Sequence, residues 1–267
     1  EASVDYVVGV LRGAGYDVST PTYELSQGHS DDGSWATPRN VIAQTRSGDP
    51  GHVVMIGAHL DSVRNGPGIV DNGSGVAALL EIANHLGASP PVRNAIRFAF
   101  FGSEESGSQG SRSYVNDLSA DDRGKILLYL NVDMVASPNA GYFAQGGKGF
   151  RKSASGPRGS AMVARVLADQ LTKTGVTPQI IEFVGDDEAA FVHADIPSGG
   201  AENGDRKKKS EEQAQIWGGQ AGEPFDHCYH AACDRLENVN RVVLNRYLHA
   251  LAGTVAYFAT SDETLSR

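Results

Sequence analysis

Three blocks of the chain, His52–His59, Ala95–Phe101 and Ile126–Val132, are nearly unbroken apolar runs. A strand covered on one face alternates apolar with polar positions, whereas a strand covered on both faces of a parallel sheet loses that alternation. The three blocks therefore predict buried parallel strands. Around them apolar residues recur at helical spacing: Val4, Val7, Val8 and Leu11; Val76, Leu79, Leu80, Ala83 and Leu86; Met162, Val163, Val166, Leu167 and Leu171; and Leu244, Tyr247, Leu248, Leu251, Val255 and Phe258. Each set predicts a helix. Gly13 and Gly15 stop the first and Gly175 the third, while Asn72 or Ser74 is available to cap the second. Shorter strands are expected over Tyr16–Tyr23, Asn40–Thr45 and Pro178–Val184, and Gln27–Pro38 reads as a polar loop. Strands alternating with helices predict an α/β fold, a mostly parallel central sheet with helices on both faces. With no internal repeat, low-complexity tract or linker, residues 1–267 are expected to form a single domain. Its abrupt opening on a helix carries the expectation that an upstream helix is missing.

Composition narrows the partners rather than the fold. A formal charge of −9 gives no electrostatic footprint for nucleic acid or an anionic membrane. No run approaches the roughly 18 apolar residues that span a bilayer. A small molecule or a peptide is the expected partner, and a monomer the expected state. The two cysteines, Cys228 and Cys233, are five positions apart. Such a pair can be a fragment of a metal site, but no second cysteine pair exists, and a local disulfide is the better reading. That places the chain in an oxidising, extracytoplasmic compartment. The mixed-sign run Asp205–Glu212 reads as a solvated loop and helix start.

The candidate chemistry sits where the apolar blocks end. His59 closes the first, Glu104 and Glu105 follow the second, and Asp133 follows the third. This is the edge at which open α/β sheets bind ligands. Asp71 follows the glycine-rich turn after His59, and His230 lies between the cysteines. A single histidine or aspartate at a strand end is ordinarily structural, but two imidazoles and four carboxylates make a donor set for two divalent ions with one carboxylate to spare. Imidazole and carboxylate without thiolate suit zinc, with manganese or cobalt as substitutes. Adjacent carboxylates on a strand point to opposite faces, so Glu104 and Glu105 can share a site only on a turn, which Gly102 and Gly107 allow. One can bind metal while the other moves a proton. Spacing does not say which does which.

From about residue 40 to 258 the chain resembles the secreted di-zinc aminopeptidases, the group of bacterial leucine aminopeptidases and fungal aminopeptidase Y. The segments that carry the resemblance are Gly57–Ser62, Gly68–Gly75, Gly102–Glu105, Asn131–Met134 and Cys228–Cys233. The resemblance implies a zinc-exopeptidase fold and hydrolysis of the first peptide bond of a substrate with a free N-terminus. It implies that Asp71 bridges two zinc ions, that His59 and Asp133 complete one and that Glu105 and His230 complete the other. It makes Glu104 the general base, Tyr229 a stabiliser of the oxyanion, and Cys228–Cys233 the disulfide bracketing Tyr229. Met134, beside the ligand Asp133, is counted with the substrate-binding residues.

Two segments depart from the family pattern. Family members commonly carry Arg-Ser-Asp followed by His or Tyr where this chain has Gly185-Asp186-Asp187-Glu188, so Asp187 survives and the arginine that would meet substrate main chain does not. Where they often show Gly-Gly-Leu-Phe-Thr-Gly, this chain has Gly199-Gly200-Ala201-Glu202-Asn203-Gly204. If Glu202 faces the pocket, preference shifts toward lysine or arginine at the substrate N-terminus, because an unpaired buried carboxylate is costly; the alternative is a Glu202 turned to solvent. Competing readings are a di-zinc carboxypeptidase or acylase, a single-zinc glutaminyl cyclase, and a non-catalytic binding ectodomain of the same fold. Only 96 residues separate Asp133 from His230, little room for the lid domain of the first. The full set of ligands and the base weighs against the other two.

Overall fold

The computed structural model describes residues 2–26, 37–146, 156–262 and 265. Eight strands occur in it, β1 (Asp17–Ser19), β2 (Val41–Gln44), β3 (Asp49–His59), β4 (Asn94–Phe101), β5 (Ile126–Val132), β6 (Phe143–Gln145), β7 (Gln179–Ile181) and β8 (Ser198–Glu202). They form one sheet in the order β1-β2-β4-β3-β5-β8-β6-β7. The central four, β4-β3-β5-β8, are parallel, β6 and β7 pair parallel, and the β1/β2, β2/β4 and β8/β6 junctions are antiparallel. The three apolar blocks are β3, β4 and β5, three of these four parallel strands, as their pattern predicts. Antiparallel pairing is confined to the margins.

Strand β3 shows why its sequence lacks alternation. Val54, Ile56 and Ala58 enter one core with Leu79, Leu167 and Leu251, while Val53 and Met55 enter a second core with Tyr129 and Phe191 on the opposite face. Both faces are dry, so both parities must be apolar. The first core is roofed by the helices α1 (Ala2–Gly13), α2 (Gly73–Leu86), α5 (Ser160–Lys173) and α8 (Arg241–Thr260), and the second by α3 (Gln109–Asp117) and α6 (Glu188–His193). In the second core the Tyr129 and Phe191 rings stack with centroids 3.8 Å apart. A Cβ on Gly57 would meet the Tyr129 hydroxyl at 2.5 Å, so only glycine lets that ring lie across the strand.

The predicted helices and strands recur with shifted ends, and Tyr16–Tyr23 and Pro178–Val184 shorten to the three-residue β1 and β7. Helices α3 and α4 (Ala120–Lys125), strand β6 and the glycine-rich β8 carry too little apolar periodicity to be legible in sequence. The polar loop expected over Gln27–Pro38 lies, as far as residue 36, outside the described residues. The run Asp205–Glu212 does lead into a helix, α7 (Glu211–Trp217), opened by a capping box between Ser210 and Gln213. One member of the run departs from the solvated reading. Lys209 is 2% exposed; its Nζ donates to the Gly218 carbonyl at 2.9 Å and lies over the Phe225 ring.

Candidate metal centre

The parallel register delivers the ionisable residues to one edge. His59 ends β3, Glu104 and Glu105 occupy the turn after its neighbour β4, and Asp133 follows its other neighbour β5. Asp71 sits in the turn before α2, where the Asn72 side chain caps the helix by accepting from the Gly75 amide at 3.1 Å. A Cβ on Gly75 would lie 2.4 Å from that Asn72 oxygen and 2.8 Å from the Val132 carbonyl, so glycine is what seats the helix against β5. Asn72 Nδ2 donates to the same carbonyl, and its Oδ1 also accepts from the Met134 amide. The Asp71 turn and the Asp133 strand end are thus tied through one side chain.

The predicted donors converge. His59 Nε2 is 3.2 Å from Asp71 Oδ1 and 3.3 Å from Asp133 Oδ1. His230 Nε2 is 3.1 Å from Asp71 Oδ2 and 2.9 Å from Glu105 Oε2. Asp71 therefore stands between two groups, one oxygen toward each. His230 Nε2 and Glu105 Oε1 are buried without any hydrogen-bond partner, although carboxylate oxygens are in reach of the nitrogen. Donor atoms of His59, Asp71 and Glu105 lie within 4.8 Å of one another. Lone pairs that crowd together without satisfying one another fit divalent cations, which need just such oxygen and nitrogen donors.

Electrostatics agree with the donor set. Burial works against a charged His59 ring, but Asp133, Asp61 and Asp71 outweigh it and hold its pKa well above the ordinary imidazole value. Burial also opposes ionisation of Asp71, yet His230 and His59 hold it down to about 2. Burial pushes Glu104 up to about 7, with Asp133 and Asp61 adding to the effect, and pushes Glu105 up to about 8, with Asp71 adding. Buried negative charge in this cluster is in excess, and it attracts positive charge in whatever form is offered.

The other predicted residues surround this centre. Ser108 Oγ donates to Glu104 Oε1 at 3.2 Å. The Tyr229 ring stacks on His230 with centroids 3.8 Å apart, and the Arg206 guanidinium lies 5.3 Å over it. Cys228 and Cys233 form the expected disulfide around both. Met134 packs with Val70 and Ala136, with Tyr229 against the cluster. Asp187 is buried before α6, and burial and the Glu104 carboxylate together push its pKa well up.

Glu202 answers the question left by its sequence, because it is 7% exposed and does not face solvent. It lies at the end of β8, where Ala201 is in register with Val132, one strand away from Asp133. Its Oε2 accepts from Gln145 Nε2 at 3.0 Å, and it lines a cavity of about 640 Å³ with Phe143, Ile181, Phe183 and Phe225. Burial pushes it up to about 7, against the pull of Lys207.

Two further carboxylates hold the turns that carry the candidate donors. Asp61 accepts from the Glu104 amide at 3.0 Å and the Glu105 amide at 3.3 Å, which fixes the acidic turn. Asp234 accepts from the Val70 and Asp71 amides. Asp61 stands two residues after His59, so sequence proximity pointed toward it; nothing in the spacing relates Asp234 to residue 71.

The family model described as peptidase family M28 matches residues 40–255. The chain is 51% identical over 227 residues to the probable lipoprotein aminopeptidase LpqL of Mycobacterium tuberculosis, covering 83% of this chain and 45% of that protein. It is 41% identical over 258 residues to leupeptin-inactivating enzyme 1 of Streptomyces exfoliatus, covering 94% and 54%. The chain thus spans about half the length of the curated relatives it matches. Among solved structures, the zinc aminopeptidase BSAP of Bacillus subtilis superposes with a TM-score of 0.69 at 24% identity, over 86% of this chain and 52% of that one. A Zn-dependent exopeptidase of Parabacteroides distasonis superposes with a TM-score of 0.71 at 22% identity, over 96% and 89%. These two likenesses establish the fold.

Proposed function

The chain belongs to peptidase family M28, and from that premise we propose that it is the catalytic domain of a di-zinc aminopeptidase acting on peptides with a free N-terminus. The observation that carries this reading is the position of Asp71, one oxygen 3.2 Å from His59 Nε2 and the other 3.1 Å from His230 Nε2. A carboxylate so placed would serve two ions at once, with His59 and Asp133 as the further residues that would hold one and Glu105 and His230 those that would hold the other. Bound zinc supplies Lewis acidity, which polarises the scissile carbonyl and lowers the pKa of a water molecule.

The chain's own residues do the remainder. Glu104, held by Ser108, takes the proton of the attacking water and returns it to the leaving amine. The Tyr229 hydroxyl donates to the oxyanion as the carbonyl becomes tetrahedral. The substrate α-ammonium lies against the Glu104 and Asp133 carboxylates, which restricts cleavage to the first bond. Asp187, whose buried carboxylate interacts electrostatically with that of Glu104, and Met134, packed with Tyr229, are assigned to the substrate side of the centre. The buried Glu202 gives the cavity an acceptor for a basic side chain, so lysyl and arginyl N-termini are favoured over leucyl. The disulfide, and the naming of one relative as a probable lipoprotein aminopeptidase, support an exported protein; among the described residues no helix is long and apolar enough to cross a membrane. A monomer suffices, because all of these groups come from one chain.

The test is a panel of anilide and peptide substrates, free and N-acetylated, assayed with and without chelator. Release from the free forms only, abolished by chelator, is the expected result. Cleavage of acetylated forms would favour an acylase, and a strong leucyl preference would end the role given to Glu202.

A further inference from the structure

Asp234 is 2% exposed, and its carboxylate is met by backbone amides. Its Oδ1 accepts from the Val70 amide at 2.8 Å and its Oδ2 from the Asp71 amide at 3.1 Å, while its own carbonyl accepts from the Ile69 amide at 3.3 Å. Three successive amides of the Asp71 turn therefore end on one residue of a loop more than 160 positions away. That loop also carries His230. It is stiff in its own right: the disulfide closes it, the Asp234 amide donates to the Ala231 carbonyl, and Asp226 accepts from the Cys228 amide and from Asn238 Nδ2. Charge-assisted bonds to backbone amides are short and directional, so the grip on residues 69–71 fixes position as well as contact.

We propose that Asp234 is a positioning residue that sets the distance between Asp71 and His230 and thereby the affinity of the ion these two share with Glu105. The proposal rests on the two-ion reading above. The other ion depends on Asp234 much less. His59 and Asp133 are placed by β3 and β5, whose ladder pairs Ile56 with Leu130 and Gly57 with Asn131, and that ladder does not involve the loop. Without the Asp234 carboxylate, two buried amides lose their acceptors and, among the described hydrogen bonds, the His230 loop keeps on this turn only the bond from the Ile69 amide to the Asp234 carbonyl; Asp71 shifts relative to His230, and the damage falls chiefly on the side that His230 completes. Nothing in the sequence spacing assigns this role; it appears only when residues 69–71 and 234 meet.

The experiment is zinc titration of chelator-stripped wild type and Asp234→Asn, in competition with a chromophoric chelator, alongside near-UV circular dichroism. Wild type is expected to bind in two steps. Asp234→Asn is expected to weaken one step by roughly 10–100-fold and leave the other unchanged, with activity lost at limiting zinc and regained in excess. Two unchanged steps, or two weakened equally, overturn the proposal. Should Asp234→Asn lose the native dichroism, Asn238→Ala, which removes the side-chain amide that hydrogen-bonds both Asp234 and Asp226, carries the test: a smaller loss at the same single step supports the role, and unchanged affinities overturn it. A wild type with a single step refutes the two-ion reading alone, and the clamp is then judged by whether that step weakens. A wild type that binds no zinc refutes both.

Discussion

At the scale of the residue, what distinguishes Glu104 from Glu105 is where their oxygens point. Glu105 Oε2 faces His230 Nε2, while Glu104 Oε1 is held by Ser108. The proposed base is therefore separable from the proposed ligands. Glu104→Ala is expected to lower kcat by roughly two to four orders of magnitude and to leave zinc content, read by elemental analysis, near that of wild type. Near-wild-type turnover in that variant would refute the assignment. Glu202 offers a test that needs no substrate. Its folded pKa, up to about 7 from an ordinary 4.5, means that the folded state binds the proton more tightly than the unfolded chain. Stability is therefore highest below the unfolded pKa, falls as pH rises through the window from about 4.5 to 7, and stays lowered above it. Glu202→Gln removes the penalty. The variant is expected to gain up to about 3 kcal/mol over wild type at pH 8 and almost nothing at pH 4.5, as measured by urea unfolding; the same gain at both pH values would mean that Glu202 is not the titrating group.

At the scale of the element, the loop from Asp226 to Asn238 is the unit that matters. It has almost no regular structure, yet it supplies His230, Tyr229 and the tie to Asp71. A crosslink between positions only five apart removes modest entropy from the unfolded chain. Replacing both cysteines by serine is expected to cost about 2 kcal/mol of stability. Its larger effect is expected on chemistry, a fall in kcat with KM little altered, because Tyr229 and His230 lose their fixed stacking. Thermal unfolding and steady-state kinetics on the same preparation separate the two. A loss of stability with kcat untouched would show the bridge to be a staple only.

At the scale of the whole molecule, three neighbouring strands and one distant loop bring like charges into a buried cluster that the fold alone does not neutralise. Ions bound there stabilise the folded state by mass action. With zinc about a thousandfold above its dissociation constant, the gain is about 4 kcal/mol, and chelation is expected to lower Tm by roughly 10 °C in a chain of this size. Calorimetry with chelator and with zinc restored checks it. A Tm indifferent to chelator would place the metal outside this cluster.

The apolar pattern by itself determined three of the four central parallel strands, the four main helices and the strand ends at which His59, Glu104, Glu105 and Asp133 stand, because burial on two faces leaves its mark on every residue of a strand. Local chemistry likewise made the Cys228–Cys233 pairing legible. The antiparallel margins, the polar helix α3 and the glycine-rich β8 left no such mark, since short or mixed segments are specified by what they pack against. Tertiary structure alone decided that Glu202 is buried, that Lys209 leaves its solvated run, and that Asp234 grips the backbone of Asp71. Glu202 and Asp234 depend on contacts between segments remote in the chain, and Lys209 on the turn after α7 and on the Phe225 ring; these are three-dimensional contacts that no local spacing encodes.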